Sequence, residues 1–480
     1  MHFYRPASAR ATPGFHTHPT SGSRRRRRIR WLIAPVAMVL LVVAQPGYGP
    51  EPVAAQTALE RPNVLIVLTD DQRTGLSSMP DTKRFFRDGT AFPNAVVTTP
   101  LCCPSRVSIL TGLYAHNHGV HDNQGNNLAG IDHESSLPAY LKGAGYRTAY
   151  FGKYINGWPY AHPPYFDEFA LQRKGWYYNV EWNVGTADGD REIKTVDTYS
   201  TDFLTRQSTS YLNRSESVDD QPWFMTVGLL APHGPYTPEK RYRGAHVGPW
   251  KGNPAVFEKD MSDKPPHYRH KSSFESRHWV RRGQLRTLMS VDDLMARLDR
   301  TLSSLGEKKD TLVFFLSDNG FLWGEHGFVG KTVPYTPSVK VPFLMRWPGH
   351  TSVRTDPRLV ANIDIAPTIL DAAGILQKLD KPMDGKSIFS SEPRERILIE
   401  WLREDTVAWG SLLTESYQFI EYYMPNRVTP SWREYYDLLF DPHQLESLLG
   451  EIVPGETPTW ATALSRQLAA DSRCKGATCP

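Results

Sequence analysis

Pro62-Asn-Val-Leu-Ile-Val-Leu-Thr-Asp-Asp-Gln72 is the stretch on which the fold turns. Its apolar run, Asn63 to Leu68, is too short for a helix and is bounded by polar residues, so it reads as a strand buried on both faces. Four further segments repeat the plan of an apolar run that stops at reactive side chains. Arg147-Thr-Ala-Tyr-Phe151 leads into Gly152-Lys153, and Trp223-Phe-Met-Thr-Val-Gly-Leu-Leu230 into Ala231-Pro232-His233. Thr311-Leu-Val-Phe-Phe-Leu316 leads into Ser317-Asp318-Asn319-Gly320, and Val341-Pro-Phe-Leu-Met345 into Arg346-Trp-Pro-Gly349. Helical patterns lie between them, clearest at Leu285, Leu288, Val291, Leu294, Met295, Leu298, Leu302 and Leu305, spaced to share one face. Strands alternating with helices predict an α/β fold with a large, mostly parallel sheet covered by helices on both faces. Ligands of such sheets sit beyond the carboxyl ends of the strands, and that edge here collects Asp70, Asp71, Lys153, His233, Asp318 and Asn319.

Outward from this core the composition changes twice. After Ala366-Pro-Thr-Ile-Leu-Asp-Ala-Ala-Gly374, a helix ending in Gly, a polar stretch leads to strand-like segments at Ile397–Glu400, Tyr417–Tyr423 and Glu434–Leu439. A helical tail follows at about 457–468. We therefore divide the body into a main α/β domain, 61–378, and a small C-terminal α+β subdomain with an antiparallel sheet, 379–480. At the other end, residues 1–60 form a targeting segment and spacer. Arg24 to Arg28 and Arg30 precede the apolar stretch Trp31–Ala44, the pattern of a secretory signal peptide. Its 14 apolar or Pro residues would span about 21 Å as a helix, short of a ~30 Å hydrocarbon core. A cleaved signal, and a secreted or periplasmic protein without a stable membrane span, is expected ahead of an N-terminal anchor. The net charge of +4 belongs to this leader, since the remainder has 47 basic and 49 acidic residues, a balance that argues against nucleic acid as a partner. Of four cysteines, Cys474 and Cys479 can close a small terminal loop in an exported protein.

The other two cysteines carry the chemistry. Leu101-Cys-Cys-Pro-Ser-Arg-Val-Ser-Ile-Leu-Thr-Gly112 contains Cys-x-Pro-Ser-Arg-x-x-x-Leu-Thr-Gly beginning at Cys102. Asp70-Asp71 and Asp318-Asn319 form a hard, anionic, all-oxygen ligand set suited to Ca²⁺, with Mg²⁺ second, and clustered acids without a cation would repel one another.

These motifs resemble those of the type I sulfatases, in which the cysteine at the position of Cys102 is oxidised to formylglycine. The resemblance extends in family order through Arg61-Pro-Asn-Val-Leu-Ile-Val-Leu-Thr-Asp-Asp-Gln72, Gly152-Lys-Tyr154, Ala231-Pro-His233, Leu316-Ser-Asp-Asn-Gly320 and Gly324-Glu-His-Gly-Phe-Val-Gly-Lys331. It implies an alkaline-phosphatase-like fold and hydrolysis of organic sulfate esters through a formylglycine hydrate and a covalent sulfoenzyme. One hydroxyl of the hydrate attacks sulfur and the second later expels sulfate. Asp70, Asp71, Cys102, Asp318 and Asn319 would hold Ca²⁺. Lys153 and Lys331 would bind sulfate oxygens, Arg106 would fix the hydrate, and His233 would face the leaving oxygen. A formylglycine-generating enzyme is the implied partner in maturation, reading Pro104 and Arg106. The usual histidine two residues after the motif lysine is missing, because Lys153 is followed by Tyr154, Ile155 and Asn156. The Gly-Lys-Tyr-x-Asn form is similar to that of N-acetylglucosamine-6-sulfatases and heparan endosulfatases, so a sulfated sugar or glycosaminoglycan fragment is expected ahead of an aryl sulfate. Asn156 cannot act as a base, and His326 is our first choice for the elimination step, ahead of His116 and His118. Ten aromatic side chains between Tyr154 and Trp182 either stack on substrate or pack a core. The competing readings are a phosphonate or phosphate ester hydrolase of the same superfamily and a catalytically silent carbohydrate-binding homologue.

Overall fold

Asn63–Thr69 forms the central strand of a ten-stranded sheet in a computed structural model that describes residues 61–480 except 126, 190, 219–220, 270–273, 404, 427 and 454. The leader and its expected signal peptide lie outside the described residues. All seven residues of the central strand are buried. Val64, Ile66 and Leu68 join one apolar cluster and Leu65 and Val67 the other, which is what period-two side chains do in a sheet covered on both sides. One face packs against helices Cys102–Thr111, Leu137–Gly143 and Ile365–Ala372, and the other against Ser200–Glu216 and Phe274–Leu305.

Five strands at the centre run parallel, in the order Thr311–Ser317, Asn63–Thr69, Trp223–Gly228, Arg147–Gly152, Glu168–Lys174. The flanks make the sheet mixed: Phe343–Arg346 pairs antiparallel with Thr311–Ser317, and Glu168–Lys174, Val180–Thr186 and Arg191–Val196 form an antiparallel meander at the other edge. The aromatic stretch between Tyr154 and Trp182 is therefore partly sheet. Tyr154, Trp158, Phe166, Phe169, Tyr177 and Trp182 are buried core, and Trp176 is exposed.

A second sheet of four antiparallel strands, Ile397–Trp401, Trp409–Leu413, Tyr417–Tyr423 and Pro430–Asp437, has its own apolar cluster, joined by Leu468 of helix Thr459–Asp471. Cys474 and Cys479 are disulfide-bonded at the chain's end.

Candidate active site

Asn63–Thr69 and Thr311–Ser317 run in register, with Thr69 opposite Ser317, so both strands deliver their acidic pairs to one place. The Asp318 amide donates to the Thr69 carbonyl at 3.0 Å and the Asp70 amide to the Ala231 carbonyl at 3.1 Å. Asp71 then adopts φ 67°, a left-handed conformation that Asp tolerates better than most residues, and its amide faces Asp318 Oδ1 at 3.3 Å. Asp70, Asp318 and Asn319 are fully buried.

Cys102 is the first residue of a ten-residue helix, every member of which is buried. The positive dipole end of that helix favours an anion or oxyanion next to position 102, while its first-turn amides are committed: the Cys103 N–H donates to Asn123 Oδ1 at 2.9 Å, Pro104 has none, and the Ser105 N–H donates to the Leu101 carbonyl. Cys102 Sγ lies 3.4 Å from Asp70 Oδ1 and 2.9 Å from Lys331 Nζ. One turn later Arg106 donates from Nε to Asp318 Oδ2 at 2.7 Å, places Nη2 3.5 Å from Asp70 Oδ2, and reaches the Lys153 carbonyl with Nη1. Two glycines make room for that reach. Gly152 (φ 120°) is paired with Gly228, a Cβ on Gly152 would stand 1.8 Å from the Gly228 carbonyl oxygen, and one on Gly228 would stand 2.5 Å from the Lys153 oxygen.

Lys153 is ion-paired with Asp70 and Lys331 with Asp71, while Lys331 also approaches Asn319 Oδ1 at 3.2 Å. His233 follows the Trp223–Gly228 strand, and its Nε2 lies 3.8 Å from Asp71 Oδ2. Its Nδ1 lies 2.8 Å from the Gly234 carbonyl, a contact that places a proton on Nδ1 and leaves Nε2 as the nitrogen facing the acid cluster. Asp70, Asp71, Cys102 and His233 present ligand atoms within 4.8 Å of one another.

The electrostatics are those of a crowded charge cluster. Burial alone would raise the Asp70 carboxyl, but Lys153, His233, Arg106 and Lys331 outweigh it and hold Asp70 well below the usual carboxylate range. Asp318 moves the other way, raised by burial and then by the Asp70 charge. Burial opposes charge on Lys153 and Lys331, yet Asp70 and Asp71 respectively overcome it and both ammonium groups are held protonated. Burial, reinforced by Asp70, pushes the Cys102 thiol up to about 12, so an unmodified thiol here is neutral and a poor nucleophile at pH 7. Three carboxylates and the Asn319 amide oxygen make an oxygen-rich donor set that fits a hard divalent cation, and such an ion would relieve the Asp70–Asp318 repulsion.

The structure thus gathers Asp70, Asp71, Cys102, Arg106, Lys153, His233, Asp318, Asn319 and Lys331. It does not bring His326 to them. His326 occupies a left-handed position (φ 51°), is buried, and sets Nδ1 2.7 Å from Glu258 Oε2 with its ring 4.3 Å from that of Tyr335. Glu258 in turn pairs with the buried Lys264, and Tyr335 bonds Glu434, so His326 belongs to a polar network beneath the C-terminal sheet. His116 bonds Glu400 and the Cys474 carbonyl, and His118 bonds Ser108 and the Val120 amide. The Asn156 amide donates to Cys103 Sγ at 3.1 Å.

Three contributors escaped the sequence reading. Tyr150 donates to the Lys153 carbonyl at 2.7 Å, Gln284 donates to the Asp71 carbonyl at 3.2 Å, and Trp176 stacks on His233. Tyr150 and Gln284 sit in ordinary strand and helix patterns that carry no chemical signal. Trp176 was one aromatic among ten, although its position after Gly175 marks a turn.

Fold and site together define an alkaline-phosphatase-like α/β protein built around a buried cysteine, an acid cluster and three cations. A solved protein in complex with its substrate D-glucosamine-2-N,6-O-disulfate superposes with a TM-score of 0.68 at 22% identity, covering 85% of this chain and 96% of that one. The family model described as Sulfatase matches residues 62–375, and a model described as N-sulphoglucosamine sulphohydrolase, C-terminal, matches 324–470. The chain belongs to the sulfatase family. It is 37% identical over 355 residues to a putative extracellular sulfatase Sulf-1 homolog of Caenorhabditis elegans, covering 68% of this chain and 48% of the relative. It is 36% identical over 402 residues to the N-acetylglucosamine-6-sulfatase of Homo sapiens, covering 76% and 70%. The chain therefore spans about half the length of the nematode relative.

Proposed function

We propose that this protein hydrolyses sulfate esters of sugars, with 6-sulfated amino sugars as the substrate class. One observation carries the reading: Cys102 sits at the focus of Lys331, Asp70 and a helix N-terminus, yet its own thiol is held neutral by its surroundings. A cysteine so placed is understandable as the precursor of a different group. Conversion to formylglycine by a formylglycine-generating enzyme provides that group, and the likeness to an N-acetylglucosamine-6-sulfatase and to a putative extracellular sulfatase supports the substrate class.

An aldehyde hydrate at position 102 supplies two hydroxyls, one to take the sulfuryl group and one to expel it as sulfate. A Ca²⁺ ion, favoured over Mg²⁺, would be held by Asp70, Asp71, Asp318 and Asn319 and would draw charge from a sulfate oxygen. Lys153 and Lys331, both held protonated, are fixed cations for the remaining sulfate oxygens and stabilise the charge spread over them in the transition state. Arg106 holds Asp318 and Lys153 in place. His233 is the imidazole within reach of the reacting position, so we assign it both proton transfers in place of His326. Protonated Nε2 donates to the departing alcohol oxygen. The proton of the attacking hydroxyl passes to solvent; the neutral ring then accepts the proton of the second hydroxyl as sulfate is expelled, and water adds to the aldehyde so formed to restore the hydrate.

The leader 1–60 is proposed as an export signal, which suits a sulfatase acting outside the cytoplasm. Among the described residues no helix is long and apolar enough to cross a membrane. The test is turnover of N-acetylglucosamine 6-sulfate, an aryl sulfate, a phosphate diester and a phosphonate ester by the purified protein and by Cys102→Ala. Loss of sugar-sulfate turnover in Cys102→Ala is the expected result. Preference for the phosphonate would replace the reading with that of a phosphonate hydrolase. Sugar binding without turnover and an unmodified Cys102 would replace it with a binding protein.

A further inference from the structure

Residues 175–179 turn the chain between strands Glu168–Lys174 and Val180–Thr186. The turn is held from inside. Gln172 Nε2 donates to the carbonyls of Gly175 and Trp176, each at 3.1 Å, and Tyr177 points inward to donate to the His233 carbonyl at 2.6 Å. Trp176 is thereby turned outward with its indole laid on the His233 imidazole, ring centroids 5.7 Å apart and planes 9° from parallel. It is nevertheless 52% exposed. The other exposed aromatic of this stretch, Tyr160, is accounted for by Arg173 over its ring and Glu181 on its hydroxyl.

A second exposed indole touches the same segment three residues further on. Tyr236, three residues after His233, meets Trp279 edge-on at 5.5 Å, and Trp279 is 55% exposed. Tyr236 is pinned over helix Phe274–Leu305 at Gly283, where a Cβ would approach the Tyr236 Cβ to 2.6 Å. The segment carrying His233 thus meets two half-bare indoles, one at His233 and one at Tyr236. Exposed aromatic surface beside a charged reaction centre marks a ligand site, because leaving it wet forfeits apolar burial that a ligand could supply.

We propose that Trp176 and Trp279 border a pyranose subsite, with the sugar ring of the leaving alcohol lying against Trp176 and Trp279 forming the outer wall. This rests on the sugar-sulfatase reading and specifies how that site selects its substrate. The leaving oxygen must meet His233 Nε2, so whatever is attached to that oxygen lies beside the ring stacked on His233. A pyranose offers a flat face of C–H groups and a polar rim. An indole face matches the first and leaves the second free to bond solvent or protein. A chain alcohol has no such face.

The test uses a matched pair of substrates on preparations whose position 102 is verified as modified: a pyranose 6-sulfate and a short primary alkyl sulfate. Both break the same type of primary C–O–S linkage, and only one has a ring. An aromatic contact of ~0.5–1.5 kcal/mol corresponds to about a 2- to 13-fold change. Trp176→Ala is expected to lower kcat/KM for the pyranose sulfate about tenfold more than for the alkyl sulfate, mainly through KM; Trp176→Phe should restore most of that difference. Trp279→Ala should show the same selectivity with a smaller loss. Equal losses on both substrates would mean that Trp176 merely holds His233, and no loss would mean that it does nothing; either overturns the subsite. Wild-type protein that cleaves the alkyl sulfate and ignores the pyranose sulfate would instead defeat the underlying sugar reading.

Discussion

His116 provides a pH-dependent lock between the region of the Cys102 helix and the C-terminal sheet. It lies in the short helix Ala115–His118, close behind the Cys102–Thr111 helix, with Nδ1 2.9 Å from Glu400 Oε2 and Nε2 3.0 Å from the Cys474 carbonyl. Burial would lower its pKa, but the Glu400 carboxylate outweighs that and raises it from 6.5 to about 9. A folded pKa above the unfolded one means that protonation stabilises the fold. That contribution is complete below the unfolded pKa of 6.5 and disappears as pH rises through about 9. At 1.36 kcal/mol per pK unit, linkage gives about 3 kcal/mol at pH 6.5, about 2 kcal/mol at pH 7.5 and about 0.4 kcal/mol at pH 9. His116→Gln keeps a neutral amide in place and removes the charge. With an unfolding entropy of about 2.1 cal/mol/K per residue over ~420 residues, 3 kcal/mol corresponds to about 3 °C in Tm. Thermal unfolding of both proteins from pH 6 to pH 10 should show a gap of about 3 °C at pH 6.5 that closes by pH 9.5. A gap that stays constant across this range would refute the argument, because it would mean that shape or neutral hydrogen bonds, and not charge, hold His116 to Glu400.

Three further outcomes follow from the site. Cys102→Ala should abolish turnover, whereas Cys103→Ala, which removes only an acceptor for the Asn156 amide, should cost less than about tenfold in kcat. Asp318→Asn keeps an oxygen ligand but removes charge and the Arg106 partner; metal analysis should show loss of bound Ca²⁺ with a ~10²-fold or greater fall in activity. Zinc in the wild-type protein, or full activity after verified metal removal, would contradict that assignment. His233→Ala should lower kcat by ~10²- to 10⁴-fold, most severely for poor leaving groups, while His326→Ala should chiefly lower Tm by breaking the Glu258 contact. A normal Tm together with accumulation of sulfated enzyme in His326→Ala would return the elimination step to His326.

The central sheet was legible because its strands are buried on both faces and therefore read as unbroken apolar runs. Tyr417–Tyr423 was placed to the residue, and Asn63–Leu68 and Thr311–Leu316 each fell one residue short of their strands. The edge was not read. Val180–Thr186 begins by alternating, with Val180 and Trp182 buried and Glu181 half-buried, but the buried Asn183 breaks the period-two pattern after three residues. Trp409–Leu413 was missed for the opposite reason, a five-residue run containing Gly410 and Ser411 with little β signal. The direction of Phe343–Arg346 had no sequence signature either, since an apolar run does not state its polarity.

The residues expected at strand ends and in the Cys102 motif converge in the fold because strand polarity carries them to one edge. His326 shows where that logic stops. It lies only five positions before Lys331, but Gly324 at φ 117° and His326 itself at φ 51° turn the imidazole inward to Glu258. Sequence proximity to a site residue carries no information about direction once the backbone enters the left-handed region. Trp176 was invisible for a different reason: what sets it apart is exposure, a property of the folded surface.

The most direct measurement is the mass of the tryptic peptide running from Asp88 to Arg106, which contains Cys102 and Cys103, taken from protein that turns over a sulfate ester. The expected peptide carries an aldehyde, trapped with a hydrazine reagent, at Cys102 and an intact thiol at Cys103. Active protein whose peptide has two unmodified cysteines, or an aldehyde at Cys103, would contradict the account.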